Sequence, residues 1–172
     1  MASLTSAELP PIGPEDHLRG EGLAVTLYTD LGCPHCAAVW SGLSDLPLEI
    51  CMRHFPVPSQ HPRSPILHAA AEAAARQGEF WAFVDRLFAD RGRTDDPHLW
   101  SLAEDLGLDL ELFERDRRSP EIEARVERDF RAGVRAGVSV TPAAFVDGQH
   151  VPAPLHRTLR GLASPGTRAR GV

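Results

Sequence analysis

The chain contains no lysine; all 18 of its basic residues are arginine. A lysine that forms Schiff bases or grips a phosphate loop is therefore missing, which excludes PLP-type chemistry and Walker-type nucleotide hydrolysis. Long hydrophobic runs are missing too: no stretch approaches the ~20 apolar residues of a membrane span. Residues 1–22 have neither the basic start nor the apolar centre of a signal peptide, so the expected location is cytoplasmic. Blocks of like charge are absent. The net charge of −6 is spread along the chain, which argues against nucleic acid and against a membrane surface as partners. Cysteine is scarce, with three in 172 residues, which argues against a disulfide framework. In a cytoplasmic chain, a few cysteines point instead to catalysis or metal binding.

What is present suits a folded domain. Apolar residues make up 42% and charged residues 24%, and the length fits one domain or one domain carrying an insertion. Residues 1–20 are rich in proline, glycine and acids and read as a partly mobile arm, whose end near His17 and Leu18 is expected to meet a sheet edge. Leu23 to Thr29 is the first strand, apolar almost throughout, as burial on both faces requires. A helix is expected from Pro34 to about Leu43, with proline at the first position, where its missing N–H has no helical partner to lose. Leu48 to Arg53 reads as a second strand.

Residues 57–137 carry only helical signals, in five segments. The first runs from Ser64 to Arg76 and is rich in alanine. The second, Glu79 to Ala89, places Phe80, Phe83, Val84, Leu87 and Phe88 on one face. Asp96-Pro97 caps the third, Asp109 opens a short fourth, and Ser119-Pro120 starts the fifth. Strand character returns after Gly137, where Val138 to Pro142 leads into Ala143 to Val146; Asp147-Gly148 signals a two-residue hairpin, and Gln149 to Val151 is the returning strand. A last helix fits Pro154 to about Leu162, and residues 164–172 form a polar tail expected to fray.

This order predicts an α/β fold. Residues 21–56 and 138–163 form a small mixed sheet flanked by helices, and residues 57–137 are an inserted all-helical subdomain. The first two strands, joined through a helix, should be parallel, and the final two antiparallel.

Cys33-Pro34-His35-Cys36 carries the chemistry. Two cysteines three apart, between a strand and a helix, read as a thioredoxin-type redox site. Cys33, at the helix start, faces free amides and the positive end of the helix dipole, which lower a thiol pKa to roughly 3.5–7.5 from about 8.5. Cys33 is thus the expected nucleophile, and Cys36, one turn deeper, the resolving thiol. His35 can add charge or a hydrogen bond beside the thiolate. The alternative is a zinc-stabilised binding module, because Cys51 and His54 supply a second pair for a Cys3His site. Against it, residues three apart on a strand point to opposite faces. A third reading is a redox-dependent adaptor without turnover. Aromatic residues Phe80, Trp81, Phe83 and Trp100 form either a substrate groove or plain core.

With Thr141-Pro142 added, the chain resembles the DsbA-like family of the thioredoxin superfamily over roughly residues 15–163. The resemblance is carried by Asp16 to Gly20, Tyr28 to Asp30, the cysteine motif, Arg53 to Pro56, Phe80-Trp81 with Phe88, Gly133 to Val138, and Thr141 to Gly148. It implies a thioredoxin fold with a helical insertion and dithiol–disulfide exchange. It implies a cis Pro142 facing the cysteines and a Thr141 backbone offered to a substrate strand. It further implies no cofactor beyond a redox-active Cys33–Cys36 disulfide. The implied partners are protein or small-molecule thiols and disulfides, with a redox partner of unknown identity. Where many such proteins place a buried acid six residues before the nucleophile, this chain has Leu27; its nearest upstream acid is Asp30, on the loop.

Overall fold

The apolar run Leu23–Thr29 is the middle strand of a five-stranded mixed sheet. In the computed structural model, which describes residues 8–90 and 92–164, the strands are β1 (His17–Arg19), β2 (Leu23–Thr29), β3 (Leu48–His54), β4 (Ala143–Val146) and β5 (Gln149–His150). The helices are α1 (Pro34–Leu43), α2 (Ser64–Ala75), α3 (Phe80–Ala89), α4 (Asp96–Asp105), α5 (Leu110–Asp116), α6 (Pro120–Arg135) and α7 (Leu155–Ala163). The first seven residues of the expected arm and the expected tail beyond Ser164 lie outside the described residues. Among the described residues no helix is long and apolar enough to cross a membrane.

The sheet order is β1-β3-β2-β4-β5. β2 and β3, joined through α1, run parallel, while β4 is antiparallel to both β2 and β5. Asp147 and Gly148 both have positive φ, 49° and 74°, as a tight primed hairpin turn requires. The end of the arm becomes β1, antiparallel to β3 with His17 opposite Met52.

Alternation along β2 divides the core. Val25 and Leu27 point to the face covered by α1 and α7, where they meet Leu43, Ile50, Leu155 and Leu159. Tyr28 points to the other face and packs with Phe55 and Phe145. Helix α6 covers that face, and Gly133 lets it approach: a Cβ there would lie 2.7 Å from the Phe55 ring and 2.9 Å from Tyr28. The last helix of the expected insertion therefore belongs to the sheet's own packing. The apolar stripe of α3 is buried, and its cluster continues into Leu31, Cys33, Cys36 and Met52. The helical block and the cysteine turn share one core.

One helix start differs from expectation. Asp95, not Asp96, is the N-cap of α4, its carboxylate accepting the His98 N–H at 3.0 Å. Asp96 turns outward instead and pairs with Arg63 at 2.5 Å.

Candidate active site

β2 delivers the chain into a turn, Asp30-Leu31-Gly32, that leads to α1. The Gly32 amide donates to the Asp30 carboxylate at 2.8 Å and the Cys33 amide to the Asp30 carbonyl at 3.1 Å. Cys33 is the N-cap of α1 with extended backbone, and Pro34 follows as the first helical residue. The Cys36 N–H donates to Cys33 Sγ at 3.4 Å. An amide aimed at the sulfur and a first turn free of acids leave Cys33 facing the positive end of the helix dipole.

Cys33 is 9% exposed and Cys36 1%, so Cys33 is the more accessible of the pair. Pro34 and His35 are exposed on the rim. Burial pushes the Cys36 thiol up to about 12, against hydrogen bonds from the Thr29 side chain, the Asp30 backbone and the Thr141 side chain. Thr141, distant in sequence, is thus brought to the cysteine pair. The Thr141–Pro142 peptide is cis, as is Ala153–Pro154, which the sequence did not single out. Val140, just before this peptide, is 68% exposed.

A cleft of about 210 Å³ opens beside Cys33, with Leu31, Pro34 and Ala37 on one wall and Leu87 and Phe88 on the other. Of the aromatic residues considered for a groove, Phe80 and Phe83 are buried core, Trp81 stacks on Trp40, and Trp100 donates to Glu114 at 2.8 Å. A larger cavity of about 650 Å³ lies between α2 and α6, and no cysteine lines it.

Behind the turn lies a buried polar chain that the sequence reading did not identify. Asp30 is fully buried; its carboxylate accepts from Gly32, from the Ser64 hydroxyl and from the Val57 amide. Burial works to raise the Asp30 carboxyl, but the Ser64 hydroxyl and the Gly32 amide are among the groups that hold it below the ordinary carboxylate range. His68 Nε2 lies 3.1 Å from the Leu31 amide. His68 Nδ1 lies 2.7 Å from His54 Nδ1, and His54 Nε2 lies 2.6 Å from Glu72 Oε1. His17 Nε2 reaches the same oxygen at 2.6 Å.

The donors fix the tautomers. An amide can only donate, so His68 accepts at Nε2 and carries its proton on Nδ1. His54 then accepts at Nδ1 and donates from Nε2 to the carboxylate. Burial pushes His68 down to about 4, with Asp30 opposing. Burial likewise works to raise Glu72, but His17 and His54 overcome it and hold the carboxyl far below its usual range. The signal in the sequence was Ser64, His68 and Glu72 at four-residue spacing, a polar stripe inside an alanine-rich helix.

The residues of the alternative zinc reading, Cys33, Cys36, Cys51 and His54, do not come together as one ligand set among the described residues. Cys51 and His54 stand on opposite faces of β3, Cys51 is an inert core thiol raised by burial to about 12, and His54 is engaged by Glu72 and His68. Among the described residues, one group has three ligand-type atoms within 4.8 Å of one another: His17, His54 and Glu72. Both imidazole Nε2 atoms hydrogen-bond to Glu72 Oε1, and the Arg125 guanidinium sits 3.6 Å from the same oxygen. A site already holding that cation is a poor place for a metal ion.

Comparison with known proteins places this geometry in context. Residues 54–162 match the model of the DSBA-like thioredoxin domain. The Na⁺/H⁺ antiporter NhaA of Herminiimonas arsenicoxydans is 40% identical over 152 residues, 83% of this chain and 24% of that protein. The chain thus spans about a quarter of the length of the curated relatives it matches. A thioredoxin-like oxidoreductase from Silicibacter pomeroyi DSS-3 superposes with a TM-score of 0.73 at 26% identity, covering 81% of this chain and 84% of that one. The thiol-disulfide exchange protein alpha-DsbA2 from Wolbachia pipientis shares the fold, with a TM-score of 0.70 at 16% identity over 80% of this chain and 78% of its own.

Proposed function

Since the chain belongs to the DSBA-like thioredoxin domain family, we propose that it is a thiol–disulfide oxidoreductase working through Cys33 and Cys36. The Cys33 thiolate attacks one sulfur of a substrate disulfide. That S–S bond breaks, the far sulfur leaves as a thiolate, and a mixed disulfide forms on Cys33. Cys36 gives up its proton and attacks Cys33 Sγ; the mixed bond breaks, the second substrate thiol is released with that proton, and the Cys33–Cys36 disulfide forms. Two electrons pass from the dithiol to the substrate. In the oxidising direction, a substrate thiolate attacks Cys33 of the disulfide form and the steps run in reverse.

His35 is assigned a supporting charge or hydrogen bond beside the Cys33 sulfur, and Pro34 the fixed first turn. Thr141 is assigned the backbone edge for a substrate strand, and Pro142 the surface that faces the cysteines. The pair itself is the redox group, and no other cofactor is invoked. Protein or small-molecule thiols and disulfides are the substrates, and a separate redox partner resets the pair. The observation that carries the reading is the Cys33 sulfur at the helix N-cap with the Cys36 amide 3.4 Å away. Cys33→Ser is expected to abolish reduction of insulin disulfides and oxidation of a reduced test protein; retained activity would sink the assignment.

We place the reaction in the cytoplasm. A maleimide that cannot cross membranes is then expected to leave Cys33 unlabelled in intact cells and to label it after lysis. A second reading rests on the antiporter relatives: the chain serves as the thiol–disulfide module of a cation–proton exchange assembly. Sodium-driven proton exchange in vesicles carrying a NhaA-type antiporter, with reduced or oxidised chain added, tests it. Equal rates in both redox states discard that coupling.

A further inference from the structure

Three consecutive amides shape the turn before the nucleophile. Those of Gly32 and Cys33 go to Asp30, within the turn itself. The amide of Leu31, a residue only 4% exposed, goes to His68 Nε2 on α2. Ser64, one helical turn earlier on α2, holds the Asp30 carboxylate. Helix α2 therefore grips the turn at two points, Ser64 through Asp30 and His68 directly. Neither residue enters the exchange chemistry above.

We propose that His68 is a positioning residue of the dithiol site, and that the His54–Glu72–His17 chain fixes the tautomer that keeps its Nε2 lone pair available to Leu31. The opposite tautomer would set an N–H against the Leu31 N–H. It would also oblige neutral His54 to donate from Nδ1, leaving a lone pair against the Glu72 carboxylate 2.6 Å away. Glu72 resists that arrangement because it is ionised between His17 of β1 and Arg125 of α6. The other charges around the pair are Asp30, 3.7 Å from His68 Nε2, and Asp129 of α6, which accepts the His54 backbone amide at 3.2 Å. With Leu31 held, Cys33 stays at the N-cap with the Cys36 amide aimed at its sulfur; with Leu31 released, that geometry loosens.

The inference rests on the disulfide-exchange reading, and its test uses readouts that do not require turnover. Nitrogen-15 side-chain NMR of the full chain at pH 7 is expected to show neutral His68 with unprotonated Nε2; protonated Nε2 overturns the proposal. In His68→Leu, alkylation of Cys33 by iodoacetamide, followed by mass spectrometry across pH 3–8, is expected to slow about tenfold on the rising, low-pH limb of its profile. In His68→Gln, whose carbonyl oxygen replaces the acceptor, the rate is expected to recover most of that loss. A folded His68→Leu protein with the unchanged alkylation rate overturns the proposal, and if that variant does not fold, the NMR result on the unmodified chain decides. Absence of insulin turnover alongside the alkylation pattern above would reject the exchange reading and leave the positioning role standing.

Discussion

The Nδ1 atoms of His54 and His68 lie 2.7 Å apart, deep in the protein, and share a single proton. Acid must add a second one. Burial lowers His68 from an ordinary 6.5 to about 4, so between those values the unfolded chain binds a proton that the folded chain refuses. Stability therefore falls as pH drops from 6.5 towards 4, and this group adds nothing further below that. A gap of this size corresponds to about 3 kcal/mol as an order of magnitude. Glu72 and Asp30 are depressed carboxyls, so their contributions, present at neutral pH, are lost as acid protonates them in the fold. The melting temperature is expected to fall between pH 7 and 4, less steeply in His68→Gln. A flat profile in the unmodified chain would contradict this.

Cys36→Ser is expected to trap the first intermediate. Without the resolving thiol, Cys33 should hold a glutathione adduct after exposure to glutathione disulfide, visible as a single added mass on the intact chain. The unmodified chain should pass through that adduct to an internal disulfide. Failure of Cys36→Ser to retain an adduct would argue that Cys33 is not the attacking thiol.

Gly133→Ala tests how α6 is seated on the sheet. The added methyl would meet the rings of Phe55 and Tyr28, at 2.7 and 2.9 Å, rather than the free end of a flexible chain. The gain in helix propensity is about 1 kcal/mol, and overpacking is expected to outweigh it, for a net loss of about 1–2 kcal/mol. The denaturant midpoint reads this directly; an unchanged or raised midpoint would mean that the helix can shift at no cost.

Much of this was legible in the residues. The apolar run at Leu23–Thr29, Pro34 at the start of α1 and Asp147-Gly148 between β4 and β5 are local signals, and each became the expected element. The place of Cys33 and Cys36 at the start of α1 was legible because the strand, the cysteine spacing and the helix that follows are local as well. The His17, His54, His68 and Glu72 chain was not, because it exists only once β1 pairs with β3 and α2 packs beneath them. Its one local trace was the stripe on α2. The cap of α4 was misplaced by one residue because two adjacent aspartates offer the same chemistry. Tertiary ion pairs with Arg63 and Arg117 separate Asp96 from the capping Asp95.

The central claim is that Cys33 and Cys36 form one two-electron couple. Equilibration in glutathione buffers of graded ratio, followed by acid quench, alkylation and peptide mass spectrometry, tests it most directly. The expected result is that Cys33 and Cys36 lose their free thiols together in one transition and are recovered as a single linked peptide pair, while Cys51 stays free throughout. A chain that keeps Cys33 and Cys36 reduced at every ratio, or that takes up glutathione on Cys33 without ever closing to Cys36, would contradict it.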